Sequence, residues 1–526
     1  MDTAATANRQ IARAASTVMA AFVLSNLVGL VRQILVSRAF GTGAEIDAFN
    51  AASKLTDLIF NLIAGGALAS AFLPTFTGFL TRNDRSGAWR LASAIGNLIF
   101  ILLIVTSALA ALFAPIIVRY ILAPGFVPEQ QALTASLLRV MLLAPVIFGI
   151  SGLLMGILNA HQVFIWPALA PTMYWTGMIL GVLFFVPQWG IYGLAWGVVL
   201  GAGLHLAIQL PSMVKLGGQY FTTLGLHFLA VRQVGILMAP RLLGVAVVQI
   251  NVLVNTILAS LQPQGSLTAI TMAWMIVSMP QVVIAQSIAI AALPTFSAQV
   301  ARGEYSQMRS SLAVTLRSML LLSLPASLGL ILLRQPIVTL LFQYGKFDLH
   351  STELVAWALL WYSVGLVGHS LVEILSRAFY ALHDTKTPVL VGVAAMSLNV
   401  IFSIAFSALF TRLGWPPHGG LALANSLATG LETVGLLVLM RRRLDGLEGR
   451  SVLAGGLQAG VATLLMSCGV WFWLSRTGEQ PAWLVVSAGL VIGLLAYGMV
   501  VLVLGVREVK SLLNEVRRRS KGVILG

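Results

Sequence analysis

Residues 25–76 read SNLVGLVRQILVSRAFGTGAEIDAFNAASKLTDLIFNLIAGGALASAFLPTF. Two apolar stretches meet at the turn Gly41-Thr42-Gly43, and each carries charge where a membrane helix tolerates it least. Arg32 lies in the first; Lys54 and Asp57 lie in the second. If the chain folds back near Gly43, residue 32 comes level with residue 54, about one turn from Asp57 and close enough to pair where the helices pack. A charged side chain at the bilayer centre costs about 3 kcal/mol or more unless it is paired or faces water. The hairpin therefore reads as the wall of a polar cavity, not as a lipid-facing surface.

Composition extends that reading to the whole chain. Of 526 residues, 58% are hydrophobic and 9% charged, with a mean hydropathy of +0.92. That profile belongs to an all-α polytopic membrane protein and excludes a soluble domain of this length. The single cysteine, Cys468, excludes a disulfide framework and any multi-cysteine metal site. The net charge of +15 invites a nucleic-acid partner, but the Lys and Arg residues sit mostly in alternate loops. Such asymmetry is the positive-inside rule, so no nucleic acid is expected. MDTAATANRQIARAAS leads straight into a span too long for a cleaved signal sequence.

Charge-poor stretches predict about 14 transmembrane helices, beginning with 15–40, 46–80 and 88–118 and ending with 451–475 and 482–506. The loops holding Arg82, Arg85 and Arg90, Lys215 and Arg232, Arg302 and Arg309, Lys386, and Arg441 to Arg443 fall on one side. Both termini are then cytoplasmic, the protein is multi-pass in the plasma (inner) membrane, and the basic tail from Val506 contacts lipid headgroups. Internal repeats add a second signal. LPTF occurs at Leu73–Phe76 and Leu293–Phe296, Gly125 of APGF matches Gly345 of QYGKF, and ILNAHQVFIWP at 157–167 aligns with AFYALHDTKTP at 378–388. GLA recurs at Gly193–Ala195 and Gly420–Ala422. The chain reads as two parallel six-helix repeats, residues 1–215 and 216–440, followed by two further helices in 441–526. Paired halves of this kind are a transporter architecture with the path between them.

Several residues could line such a path. Arg32 has two compatible readings: an ion pair with Asp57 or Asp47, and a cation facing the substrate. Lys54 and Asp57 stand i,i+3 on one helix and can neutralise each other. Arg139 is a charge within the fourth span, and Arg241, after Pro240, is placed to snorkel. Glu373 and Glu432 are isolated carboxylates that either hold a coupling cation or pair with Arg377 and Arg441. There is no phosphate-binding loop, no HExxH and no nucleophile motif, so neither an enzyme nor an ATP-driven pump is expected, and no cofactor.

The sequence resembles the MurJ (MviN) family of lipid II flippases, within the multidrug/oligosaccharidyl-lipid/polysaccharide exporter superfamily. The likeness runs over nearly the whole chain. It rests on GLVRQILVSRAFGTG, IDAFNAASKL and AFLPTF in the hairpin, and on APGF at 123–126 and ILNAHQVFIWPALAPT at 157–172. QLPSMVKLG, VVQINVLVNTILAS, LFQYGKFD and RAFYALHDTKTPV follow at 209–217, 247–260, 341–348 and 377–389.

The resemblance implies a V-shaped pair of N- and C-lobes that exports lipid II, the undecaprenyl-diphosphate-linked peptidoglycan precursor, by alternating access. It also implies a monomer, membrane lipids as neighbours, and contact with the cell-wall synthesis machinery. Of its cavity cations Arg32 is the one clear carry-over; Lys54, Asp57, Asp47 and Arg241 complete the candidate substrate-binding residues read from the chain itself, and the lipid tail would lie along the last two helices. The chain departs from the family pattern where Asn26, Phe60 and Trp274-Met275 stand in place of an arginine, an arginine and an Asp-Arg pair. Three alternatives therefore stay open: a paralogue carrying another polyprenyl-linked saccharide, a multidrug-type cation antiporter, and a non-transporting cell-wall scaffold. The driving force is equally open between the membrane potential, Na⁺ and H⁺.

Overall fold

Apolar runs with no strand periodicity become helices, because in lipid each backbone N–H and C=O must be satisfied within its own segment. The computed structural model describes residues 2–63, 66–478, 480–506 and 508–510, and leaves out the side chains of 2–17, 66–70, 240, 241 and 243. The long helices are α1 Asp2–Phe40, α2 Ala44–Ile63, α3 Gly66–Thr81, α4 Arg85–Leu112, α5 Pro128–Met141 and α6 Leu143–Ala160. Next come α7 Ile165–Leu180, α8 Ile191–Ala207, α9 Leu229–Ser260, α10 Ser266–Pro280, α11 Ser287–Ala301 and α12 Tyr305–Phe342. The last five are α13 Leu349–Ala381, α14 Lys386–Arg412, α15 His418–Arg443, α16 Gly449–Leu474 and α17 Ala482–Val503.

Among the described residues, 12 helices are long and apolar enough to cross a membrane, or up to 13 if the bent pair Leu229–Ala239 and Gly244–Ser260 is one span. The expected second span, 46–80, is covered by α2 and α3, which flank residues 64 and 65, outside the described residues. The basic tail beyond 510 lies outside the described residues.

The chain forms two compact units, one up to Leu267 together with Tyr344–Phe347, the other Thr268–Gln343 with the chain from Asp348 onward. In the first, α1 packs along α7, α7 along α8, and α2 along α5, while α9 lies on α2 and α3. The α7–α8 seam is close because it is lined with glycine. A Cβ on Gly177 would sit 2.3 Å from the Gly201 Cα, and one on Gly181 2.5 Å from the Gly197 Cα. Close backbone approach of this kind replaces the hydrophobic drive that lipid does not supply. In the second unit α12 packs on α13, α13 on α15 and α15 on α14, with a core around Phe296, Leu312 and Ile374 and with α16 and α17 on α12. A buried ion pair, Arg317 Nε to Glu508 Oε1 at 2.7 Å with each side chain 11% exposed, ties the segment after α17 to α12.

The repeat signal has a counterpart in the turns. Left-handed residues occur at Asn83 and Gly303, at Gln162 and His383, and at Gly190 and Gly414, so the spacing drifts upward from 220 as the motif spacing does. The matched glycines of APGF and QYGKF each meet the carboxyl end of a long helix. A Cβ on Gly125 would lie 2.3 Å from the Ser260 carbonyl oxygen, and one on Gly345 2.5 Å from the Arg38 carbonyl oxygen. Arg38 also accepts a hydrogen bond from the Lys346 N–H at 3.0 Å. Gly345 has φ +65°, whereas Gly414 has φ +72° and nothing within 4 Å of a Cβ.

Between α13 and α14, Asp384 accepts hydrogen bonds from the Thr387 N–H at 3.0 Å and its hydroxyl at 2.8 Å. These bonds, the backbone one first, hold its carboxyl below the usual carboxylate range.

Two measurements follow from this packing. Gly345→Ala is expected to lower the melting temperature in detergent well below that of Gly414→Ala, since the latter carries only the backbone penalty of about 1 kcal/mol. Equal shifts would show that the Arg38 contact does not matter. Asp384→Ala is expected to cost about 1 kcal/mol at neutral pH. A depressed carboxylate stabilises the fold above its unfolded value of about 3.9 and loses that contribution as pH falls through the folded value. The gap between variant and wild type in pH-dependent melting curves should therefore close on acidification.

Candidate functional site

The site is built on α1, α2, α6, α7 and α8 of the first unit. Pro171 lies inside α7, and one turn later Trp175 faces Arg32 of α1. Gly29 leaves room for the indole, since a Cβ there would touch the Trp175 Nε1 at 3.4 Å. One turn further along α1, the Arg32 guanidinium carbon stands 4.7 Å from the centroid of the Trp175 ring. Arg32 Nε is enclosed and makes no hydrogen bond with any described residue.

A cavity of about 390 Å³ opens at this point, lined by Arg32, Asn50, Ser53, Asp57, Tyr174 and Trp175 among others. Asp57 is exposed into it. Part of the wall is aromatic. Tyr174 and Trp175 rings lie 4.7 Å apart, Phe148 meets Tyr174 edge-on at 5.1 Å, and Phe60 lies 5.3 Å from Phe148. Behind it, Ser151 Oγ and His205 Nδ1 stand 2.6 Å apart, and the Gln209 side-chain amide donates to Ser151 Oγ at 2.8 Å. One guanidinium and one carboxylate thus share a cavity with polar amide and hydroxyl groups. That arrangement can hold an anionic group on the guanidinium edge and place sugar or other ring faces against aromatics.

The residues singled out from sequence part company here. Arg32 and Asp57 share the cavity, but the direct ion pair expected between them is absent: no contact within the 4.0 Å limit joins them. The reason is packing, since α1 lies along α7 and not along α2. Lys54 is not at the cavity and makes no ion pair with Asp57. The three ion pairs among the described residues are Arg302–Glu304, Arg317–Glu508 and Arg377–Glu373.

Asp47 is buried at 1% exposure, and its carboxylate accepts the Gly265 N–H at 2.6 Å, clamping the turn after α9. Arg139 donates from Nε to the Ala111 carbonyl at 3.1 Å, satisfying a free carbonyl at the end of α4. The Arg241 side chain lies outside the described residues.

In the second unit Glu373 pairs with Arg377 at 3.8 Å, while the half-buried Glu432 makes no ion pair with Arg441. His369 Nε2 lies 3.0 Å from Asn425 Oδ1, with Trp274 edge-on to its ring at 5.2 Å. Asn26 turns back to the Phe22 carbonyl of its own helix at 2.8 Å.

Sequence reasoning missed Trp175 and the His205 network. The available signals were an aromatic pair in mid-span after Pro171, and His205 and Gln209 four residues apart on one helix face.

The profile of the lipid II flippase MurJ family matches residues 36–495. The chain belongs to that family. It is 31% identical over 441 residues to the lipid II flippase MurJ of Burkholderia cenocepacia, covering 82% of this chain and 84% of that one. It is 28% identical to the probable lipid II flippase MurJ of Vibrio cholerae over 95% of this chain and 98% of the relative. A solved structure of lipid II flippase MurJ in an inward closed conformation superposes with a TM-score of 0.78, at 24% identity, over 92% of this chain and 97% of that chain. An inward-facing multidrug resistance MATE transporter of the MOP superfamily superposes with 0.68 at 17% identity, over 81% and 96%. These likenesses establish a multi-pass membrane protein of a transporter fold, in a family of flippases and not of enzymes.

If Trp175 holds the Arg32 guanidinium, the two side chains are coupled in stability. A double-mutant cycle of Arg32→Ala and Trp175→Ala on thermal unfolding in detergent is expected to give a coupling of about 1 kcal/mol, with Trp175→Phe keeping most of it. Strict additivity would mean that the stacking contributes nothing.

Proposed function

We propose that the protein carries lipid II from the cytoplasmic to the outer leaflet by alternating access, with the Arg32 cavity receiving the diphosphate and sugar–peptide head. The observation that carries this is a guanidinium kept inside an apolar bundle, stacked on one face and unbonded at Nε, in a chain of the MurJ family. An arginine fork suits diphosphate oxygens, and burial among apolar helices strengthens a charge-assisted bond. On this reading both termini are cytoplasmic, Asp57 faces the head group across the cavity, and the undecaprenyl tail stays in lipid beside α16 and α17. Outward movement of the diphosphate follows an inside-negative potential at about 2.3 kcal/mol per charge per 100 mV.

One observation favours a second reading, a different polyprenyl-linked saccharide. The cavity holds a single arginine set against a carboxylate, and aromatic rings share its remaining wall with amides and hydroxyls, which suits sugar rings better than a heavily charged head.

The deciding experiment replaces the resident lipid II flippase of a conditionally depleted bacterium and scores externally accessible lipid II. Wild type is expected to restore it, and Arg32→Ala to abolish it at equal membrane abundance. Rescue that survives Arg32→Ala would remove Arg32 from the path. Absence of rescue by abundant wild type would turn the assignment to the other lipid-linked cargo.

A further inference from the structure

A second cavity, of about 560 Å³, lies in the first unit apart from the site above, between α4, α6 and the segment 213–220. Its floor is Leu153, Leu154 and Ile157 of α6, all buried. The recess exists because α4 presents Ala92, Ser93 and Gly96 there; a Cβ on Gly96 would come within 2.9 Å of Leu153 Cδ2. The rim is open, with Phe100, Val214 and Tyr220 being 39%, 77% and 70% exposed.

On the α4 side the polar atoms bordering this slot are used within the protein, and Gln219 stands exposed at the rim. Ser93 Oγ accepts the Phe221 N–H at 3.0 Å. Asn97 donates to the carbonyls of Phe221 at 3.3 Å and Thr223 at 2.9 Å, and accepts the Tyr220 hydroxyl at 2.8 Å. What remains is an apolar wall, and such a wall stays dry or takes an apolar occupant.

Depth and charge specify the occupant. The α4 stretch from Trp89 to Phe100 covers about 16 Å at ~1.5 Å per residue, roughly half of the ~30 Å hydrocarbon core. The slot is therefore about one leaflet deep. At its shallow end stand the exposed Arg82, Arg85, Arg90 and Lys215. Arg85 donates to the Leu216 carbonyl at 3.1 Å, and none of the four belongs to an ion pair. The acidic residue beside them is Asp84, whose carboxylate accepts the Gly87 N–H at 2.8 Å. The mouth is thus net cationic, and cations at a membrane surface draw anionic headgroups.

We propose that this slot binds one acyl chain of an anionic glycerophospholipid, with the lipid phosphate held at the mouth by Arg82, Arg85, Arg90 and Lys215. The bound lipid fills the groove between α4 and α6 and covers the irregular segment 216–228, whose backbone would otherwise meet hydrocarbon.

The test uses the full chain in phosphatidylcholine nanodiscs doped with phosphatidylglycerol that carries a diazirine on its acyl chain. After irradiation, label is expected on peptides covering 92–100 and 150–157, and unlabelled phosphatidylglycerol should displace it several-fold better than added phosphatidylcholine. Ile150→Trp and Met213→Trp fill the slot from two sides, and each should lower the labelling several-fold. Lys215→Gln combined with Arg82→Gln leaves the slot walls intact, so it serves even if the filled variants fold poorly; it should keep the labelling and erase the preference for phosphatidylglycerol. The proposal is overturned by equal displacement with phosphatidylcholine, by a preference that survives loss of both charges, or by labelling unchanged in well-folded filled variants. Displacement by undecaprenyl phosphate ahead of phosphatidylglycerol would also overturn it, making the slot a polyprenyl site.

Discussion

The arrangement of the first unit follows from one constraint: a guanidinium has to be carried inside an apolar helix bundle. Left unpaired against lipid, Arg32 would cost several kcal/mol. Here its face is covered by Trp175 at 4.7 Å and its edge opens onto a cavity that also holds Asp57. That solution imposes further conditions. Gly29 has to be small so that the indole can lie flat beside α1, and α1 has to pack on α7. Arginine suits this role better than lysine, because a planar, weakly hydrated cation gives up less on stacking.

The remaining buried polar groups are satisfied in small local sets. His205, Ser151 and Gln209 bond one another between α6 and α8, and His369 meets Asn425 between α13 and α15. Each set joins the same pair of helices within its repeat, with the histidine on opposite members. Such networks fix helix rotation where apolar packing alone is permissive. Glu432, by contrast, makes no ion pair among the described residues.

Relating sequence to structure is most direct where the reason is local. APGF and QYGKF read as matched motifs, and both glycines lie against a helix end that would collide with any Cβ. Gln162 and His383, matched by the HQVFIWP and LHDTKTP alignment, both adopt left-handed backbone. Burial of Phe76 at 0% and Phe296 at 1% accounts for the two copies of LPTF. The places where sequence reasoning failed are of another kind. Asp47 reads as a partner for Arg32, yet it bonds Gly265; of the coupling and structural readings of Arg139, its bond to the end of α4 fits the structural one.

By itself, the sequence determined the helical class, the position of most spans and the motifs that become matched turns. Hydropathy, helical period and turn chemistry act over a few residues and need no knowledge of neighbours. Only the tertiary structure decided that Arg32 meets Trp175 and not Asp57, and that a slot between α4 and α6 lies beside a cationic rim. Those outcomes depend on which helices lie side by side. In lipid, that choice is made by close packing of small residues scattered along the chain, such as Gly29, Gly96, Gly177 and Gly201, whose partners no local pattern identifies.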